Sequence, residues 1–170
     1  MSIAKYICRR NPDCNLLGKH AYDQAINDQW IAWAQNTLFD PLHQAYFPLF
    51  GFMPTDMNKF NAVMKSVKEL SKKLNVFMKN REWIGGSEMS VADIYLGSVF
   101  STLFQTLFDP GFRKAMSNLT AWFQKVSSHP AFIRRFGKIR MCDKPLKPMD
   151  AKHFKPPAPA TQTKKDKKEE

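Results

Sequence analysis

Much that would point to chemistry is missing from this chain. It has three cysteines, Cys8, Cys14 and Cys142, with no CxxC pair among them. That excludes a zinc ribbon or a redox motif, and the odd number speaks against a closed disulfide framework, so reduced thiols in a cytosolic setting are expected. Glycine is scarce, with seven in 170 residues. The Gly85-Gly86 pair precedes a helix cap and follows no strand, so it reads as a turn and not a phosphate cradle. There is no GxSxG elbow, no HExxH and no acidic calcium loop. The histidines His20, His43, His129 and His153 stand apart, none paired at i, i+4 with another ligand type, so no metal site is expected. Acidic residues are in deficit, 15 against 26 Lys and Arg, for a formal net charge of +11. No basic and apolar leader opens the chain, which argues against secretion, and no apolar run is long enough to be a confident membrane span.

What is present is organised around Gly85 to Phe108, GGSEMSVADIYLGSVFSTLFQTLF. Ser90 and Asp93 have the spacing of a capping box, and Met89 with Ile94 that of a hydrophobic staple. From Ile94 to Phe108 there is no charged residue, and the apolar positions point in nearly every direction of a 3.6-residue period. A helix apolar all round belongs inside something. The expectation is an all-α fold, a bundle around this buried central helix, which stops at Asp109-Pro110-Gly111.

The other segments read as its neighbours. Ser2–Arg10 is a short helix whose apolar face is too small to stand alone. His20 to Leu38 is a helix with Tyr22, Ile26, Trp30, Trp33 and Thr37 along one stripe. Asp40 to Pro54, with three prolines and Tyr46, Phe47, Phe50 and Phe52, reads as an extended or broken-helix connection lying over the core. Thr55 or Asp56 caps a long amphipathic helix with Phe60, Val63, Met64, Val67, Leu70, Leu74, Phe77 and Met78 inward and lysines outward. Trp83 and Ile84 cover the start of the central helix. Pro110-Gly111-Phe112 is a break, Asn118 to Ser127 a helix, and Ala131 to Phe136 a short turn in which Pro130 can take the first helical position and Gly137 the end. Basic and aromatic side chains interleave between Phe132 and Arg140, a weak RNA-binding signal. From about Asp143 prolines alternate with Lys and Ala, and Lys144 to Glu170 carries eight Lys against four acids. This stretch reads as a disordered basic linker.

Two groups of residues resemble known families. MSVADIYLGSVFSTLF, with its box at Ser90 and Asp93, is similar to the core helix of glutathione-transferase C-terminal domains. The run through Asn118, Trp122, Phe123, Pro130, Phe132, Gly137, Ile139, Cys142, Asp143 and Lys144, followed by a Lys-rich stretch, resembles the gamma-subunit family of eukaryotic translation elongation factor 1. The resemblance implies three parts. Residues 1–19 are the remnant of a thioredoxin-like N-terminal half and its connecting loop, 20–143 the transferase C-terminal-like helical domain, and 144–170 the linker.

It also implies a non-catalytic, cytoplasmic scaffold of the elongation factor 1 complex that anchors guanine-nucleotide-exchange subunits and uses no cofactor. Ser2 stands where transferases contact glutathione, but Met1 replaces the usual acid or amide before it, so the site is vestigial. Trp30, Trp33, Phe47 and Phe50 are the candidate partner-binding residues. The basic tail would draw RNA or acidic partners weakly, and a face left bare by the missing half would aggregate or pair two copies as a homodimer. Two readings stay open beside this one: the C-terminal half of a glutathione transferase whose catalytic half is missing, and an assembly domain like those of aminoacyl-tRNA synthetases.

Overall fold

In the computed structural model, residues 2–11 and 13–149 are described. They form α1 (Ser2–Arg10), α2 (Ala21–Trp33), a π-helical turn (Ala34–Leu38), α3 (Phe39–Leu49), α4 (Met57–Phe77), α5 (Val91–Thr106), α6 (Pro110–Ala115), α7 (Ser117–Ser127) and α8 (Pro130–Phe136). Among the described residues there is no sheet, and Trp83 and Gly86 form an isolated bridge. None of these helices is long and apolar enough to cross a membrane.

α5 is the central rod. Leu96, Phe100, Leu103 and Phe104 are fully buried, and Val91, Ala92, Asp93, Gly97, Ser101 and Thr106 are buried with them. α2 packs along one side of it and α7 along another, while α4 closes over α3 and α7. Phe104 stacks on Phe123 of α7 at 4.1 Å, and Phe100 meets Trp122 edge-on at 6.1 Å. The close approach of α5 to α7 needs a residue without a side chain. A Cβ on Gly97 would lie 2.6 Å from Val126 Cγ1 and 3.3 Å from Phe132 Cε2. Val126 is β-branched and fully buried, so it has little room to yield. Gly97→Ala is therefore expected to lower stability by ~1–3 kcal/mol in urea denaturation, although alanine favours helix by about 1 kcal/mol.

Polar side chains set the element boundaries. Asp56 Oδ1 accepts from the Lys59 N–H at 2.8 Å and starts α4. Its outer face leaves Lys59, Lys65, Lys68, Lys72 and Lys73 exposed. Asn75 joins α4 to α7: its Oδ1 accepts from the Leu119 N–H at 3.0 Å, and its backbone carbonyl accepts from Asn118 Nδ2 at 3.2 Å. α8 begins at Pro130 and ends at Gly137, whose φ of 77° favours glycine.

Four expectations need correction. Asp40 to Leu49 is neither extended nor broken, because α3 runs on from α2 through the π turn, and only residues 50–54 leave the helix. There the Phe39 N–H bonds back to the Ala34 carbonyl, one residue beyond the α pattern. Pro41 follows this widened turn and Pro48 stands next to the last helical residue, so neither ends the rod. The inward stripe of α2 is also different. Asn27, Ile31, Ala34 and Leu38 are buried, whereas Tyr22 is 66% exposed and Ile26, Trp30 and Trp33 are only half-buried. The smaller Asn27, Ile31, Ala34 and Leu38 side chains are the ones buried, and the Trp30 indole packs instead on Phe77 of α4.

Pro110-Gly111-Phe112 opens a helix where a break was expected. Asp109 Oδ1 accepts from the Phe112 N–H at 2.7 Å, and Pro110 takes the first helical position. Finally, the first residues of the expected linker lie on the bundle. The Cys142 N–H donates to the Phe104 carbonyl at 2.9 Å and the Leu146 N–H to the Thr106 carbonyl at 2.7 Å, while Arg113 Nη1 donates to the carbonyls of Phe108 and Cys142. A helix end leaves carbonyls without intrahelical donors; the segment 139–149 supplies them for α5. The remainder of the linker, 150–170, with His153, lies outside the described residues, as does Met1.

Candidate functional site

Asp93 is the most heavily hydrogen-bonded side chain of the bundle, and its chemistry is structural. It is fully buried. Oδ1 accepts from the Ile84 N–H at 2.8 Å and from Trp122 Nε1 at 2.7 Å; Oδ2 accepts from the Ser90 N–H at 2.8 Å and the Ser90 hydroxyl at 2.6 Å. One carboxylate thus ties the turn before α5, the first turn of α5 and the middle of α7. Burial pushes its pKa above the usual carboxylate range, against the pull of the four donors. With both oxygens committed, no lone pair is left for a substrate. Met89 and Ile94 line one small apolar cavity together with Phe132 and Phe136 of α8.

The remaining candidates divide between two places on the α2–α3 rod. Trp30 and Trp33 meet edge-on at 5.1 Å, and Trp30 packs on Phe77 of α4 at 4.6 Å. The Arg81 guanidinium covers the other part of Phe77 at 4.5 Å. Phe47 and Phe50 lie at the far end of the rod, 43% and 49% exposed, so the four candidates do not form one patch. Phe47 belongs instead to an exposed aromatic ledge: His43 stacks on it with an interplanar angle of 2°, and Phe52 meets it edge-on.

Beside the ledge, α3 and α4 enclose an open groove of about 490 Å³, lined by His43, Phe47, Met53, Phe60 and Val63 with Asp40 and Lys59 at its polar edges. Across α3, a second groove runs between Phe39, His43 and Tyr46 on one wall and Tyr95, Val99 and Thr102 on the other. The Tyr46 hydroxyl is buried beside Thr102 without a well-formed hydrogen bond among the described residues, and burial pushes its phenol pKa up. His43 and Phe39 were not among the sequence candidates. Their signal is the i, i+4 spacing of Phe39, His43 and Phe47, visible once the segment is helical.

Little elsewhere resembles a reactive centre. Ser2 is the exposed first residue of α1, a helix with no buried residue, tied to α2 by a Lys5–Asp28 ion pair at 2.5 Å. Burial, followed by the neighbouring Cys14, pushes the Cys8 thiol up to about 11, away from the thiolate a nucleophile requires. Cys142 is shifted upward as well, chiefly by burial. Among the described residues no three His, Cys, Asp or Glu side chains gather as metal ligands would.

Comparison with known proteins supplies the context. The family profile "Glutathione S-transferase, C-terminal domain" matches residues 37–130. Human elongation factor 1-gamma is 28% identical over 138 residues, 81% of this chain and 30% of the relative. Elongation factor 1-gamma-A of Xenopus laevis is 26% identical over 150 residues, 88% of this chain and 34% of the relative. The chain thus spans about a third of the length of these curated relatives. Among solved structures, the GST-like domain of elongation factor 1-gamma from Saccharomyces cerevisiae superposes with a TM-score of 0.79 at 23% identity, covering 87% of this chain and 70% of that one. A theta class glutathione S-transferase from Xanthomonas axonopodis with glutathione bound gives 0.69 at 18% identity, covering 84% and 72%.

Proposed function

This chain belongs to the glutathione S-transferase C-terminal domain family, and on that premise we propose that it is a non-catalytic binding module of a translation elongation factor 1 assembly. The supporting observation is the extent of the likeness. Similarity to elongation factor 1-gamma-A reaches 88% of the chain, well beyond the span 37–130 that defines the family. The chemistry is consistent with a binding role, because the deeply buried Asp93 carboxylate is saturated by structural donors and the Cys8 thiol is pushed away from ionisation.

On this reading the module works in the cytoplasm and anchors the guanine-nucleotide-exchange subunits of the complex. Residues 1–19 are the end of a preceding thioredoxin-like half, and 20–143 the binding domain. The contact is made by aromatic side chains along the α2–α3 rod. Trp30 and Trp33 offer half-buried indoles, and Phe47 and Phe50 offer exposed rings against which an amphipathic partner helix can bury its apolar face. Large aromatic residues carry most of the energy at such interfaces. The paired substitution F47A/F50A should weaken retention of an exchange subunit in a pull-down by about 30-fold or more, the equivalent of ~2 kcal/mol. A purified chain that retains no exchange subunit would defeat the proposal.

The theta class neighbour motivates a second reading, in which these helices form the C-terminal half of a glutathione transferase. Conjugation of glutathione by a longer form that carries the thioredoxin-like half, and not by these 170 residues alone, would favour that reading, and co-purification with a synthetase would favour the assembly-domain alternative.

A further inference from the structure

We propose that the groove between α3 and α4 is the seat of this chain's own continuation, residues 150–157, with the Phe154 ring filling it. The path of the backbone leads there. The Met149 N–H donates to the Pro48 carbonyl at 3.0 Å, and the Thr55 N–H reaches the Met149 carbonyl at 3.5 Å. Pro48 and Thr55 both line the groove, so the last described residue is hydrogen-bonded to its rim. The Met149 thioether lies against Gly51, its Cε 3.3 Å from where a Cβ on that glycine would stand. The contacts that bring Cys142 and Leu146 onto α5 thus continue onto the α3–α4 loop.

The residues after Met149 match the walls of the groove. They read Asp-Ala-Lys-His-Phe-Lys-Pro-Pro, and Phe154 is the sole aromatic residue from 150 to 170. Five residues span up to ~17 Å when extended, ample for Phe154 to reach from the rim into the groove. The groove presents His43, Phe47, Met53, Phe60 and Val63 to that ring, and the exposed Asp40 carboxylate lies at the edge for Lys152 or Lys155. Pro156-Pro157 favours the extended polyproline conformation, which loses little entropy when laid against aromatic walls. The Phe47 and Phe52 rings beside the groove form such a wall.

The test is amide hydrogen exchange on the full 170-residue chain and its Phe154→Ala variant. The buried core of the described residues is complete without Phe154, and thermal unfolding of the variant checks that it keeps the bundle. With the segment seated, Phe154→Ala exchanges about tenfold faster in peptides covering Phe50–Val63 and unchanged in those covering α5, and Phe154→Trp stays as protected as the parent. Equal exchange in the parent and Phe154→Ala would overturn the proposal. So would protection that grows with protein concentration alongside a dimer in sedimentation, since a second copy would then occupy the groove.

Discussion

Asp93→Ala is expected to destabilise the bundle by about 4 kcal/mol, a large share of the 5–15 kcal/mol that holds a domain of this kind together. The substitution removes the acceptor for four donors at once. The Ile84 and Ser90 amides and the Trp122 indole N–H would remain buried without partners. A buried unmet donor costs ~1–3 kcal/mol, and three of them set this scale. Asp93→Asn should cost roughly half as much, since its carbonyl can still serve Ile84 and Trp122 while its amide opposes the Ser90 N–H.

The dependence on pH has a definite sign. The carboxyl's pKa is raised in the folded state, whereas in the unfolded chain it lies near 3.9. A raised folded value makes the group's contribution fullest below the unfolded pKa and diminishes it as pH climbs through the folded one. The stability gap between the parent and Asp93→Asn should therefore narrow as the pH rises above about 4 in urea titrations. A gap that widened over that range would show that the four donors, and not burial, dominate the site.

Phe104→Ala should be comparably severe, at ~3–5 kcal/mol. Phe104 is fully buried, stacked on Phe123 at 4.1 Å and edge-on to Phe108 at 5.4 Å, so removing it opens a hole between α5 and α7 and abolishes two aromatic contacts. For a domain of this size the loss corresponds to a fall in Tm of roughly 10 °C by calorimetry. Phe104→Leu keeps most of the volume and should cost about 1–1.5 kcal/mol. A Phe104→Ala protein melting within a degree of the parent would mean that the core closes over the gap.

The elements that could be read from the chain are those whose signals are local. α5 announces itself by the Ser90–Asp93 box and its uncharged run, α4 by a regular apolar period, and α8 by Pro130 and Gly137. What failed depended on geometry that no short window contains. Pro41 and Pro48 suggested a broken connection because the π turn that carries the helix forward leaves no composition of its own. Trp30 and Trp33 drew the inward stripe towards themselves by size, while Asn27 and Ala34, which touch the core, looked unremarkable. The ledge of His43 and Phe47 was hidden by the same misreading of α3, since i, i+4 spacing means nothing along an extended segment. The extended run after Gly137 satisfies α5 through backbone amides of Cys142 and Leu146, for which side-chain identity gives no clue.

That extended run has a consequence for biosynthesis. α5 is fully translated once Thr106 has been added, but two of its terminal carbonyls find their donors only in Cys142 and Leu146. A nascent chain paused between Thr106 and Trp122 carries its middle helix unlatched, with the Phe104 ring awaiting Phe123 of α7. The bundle therefore cannot complete this latch before Leu146 has been added, and a shorter nascent chain leaves bare aromatic surface open to aggregation.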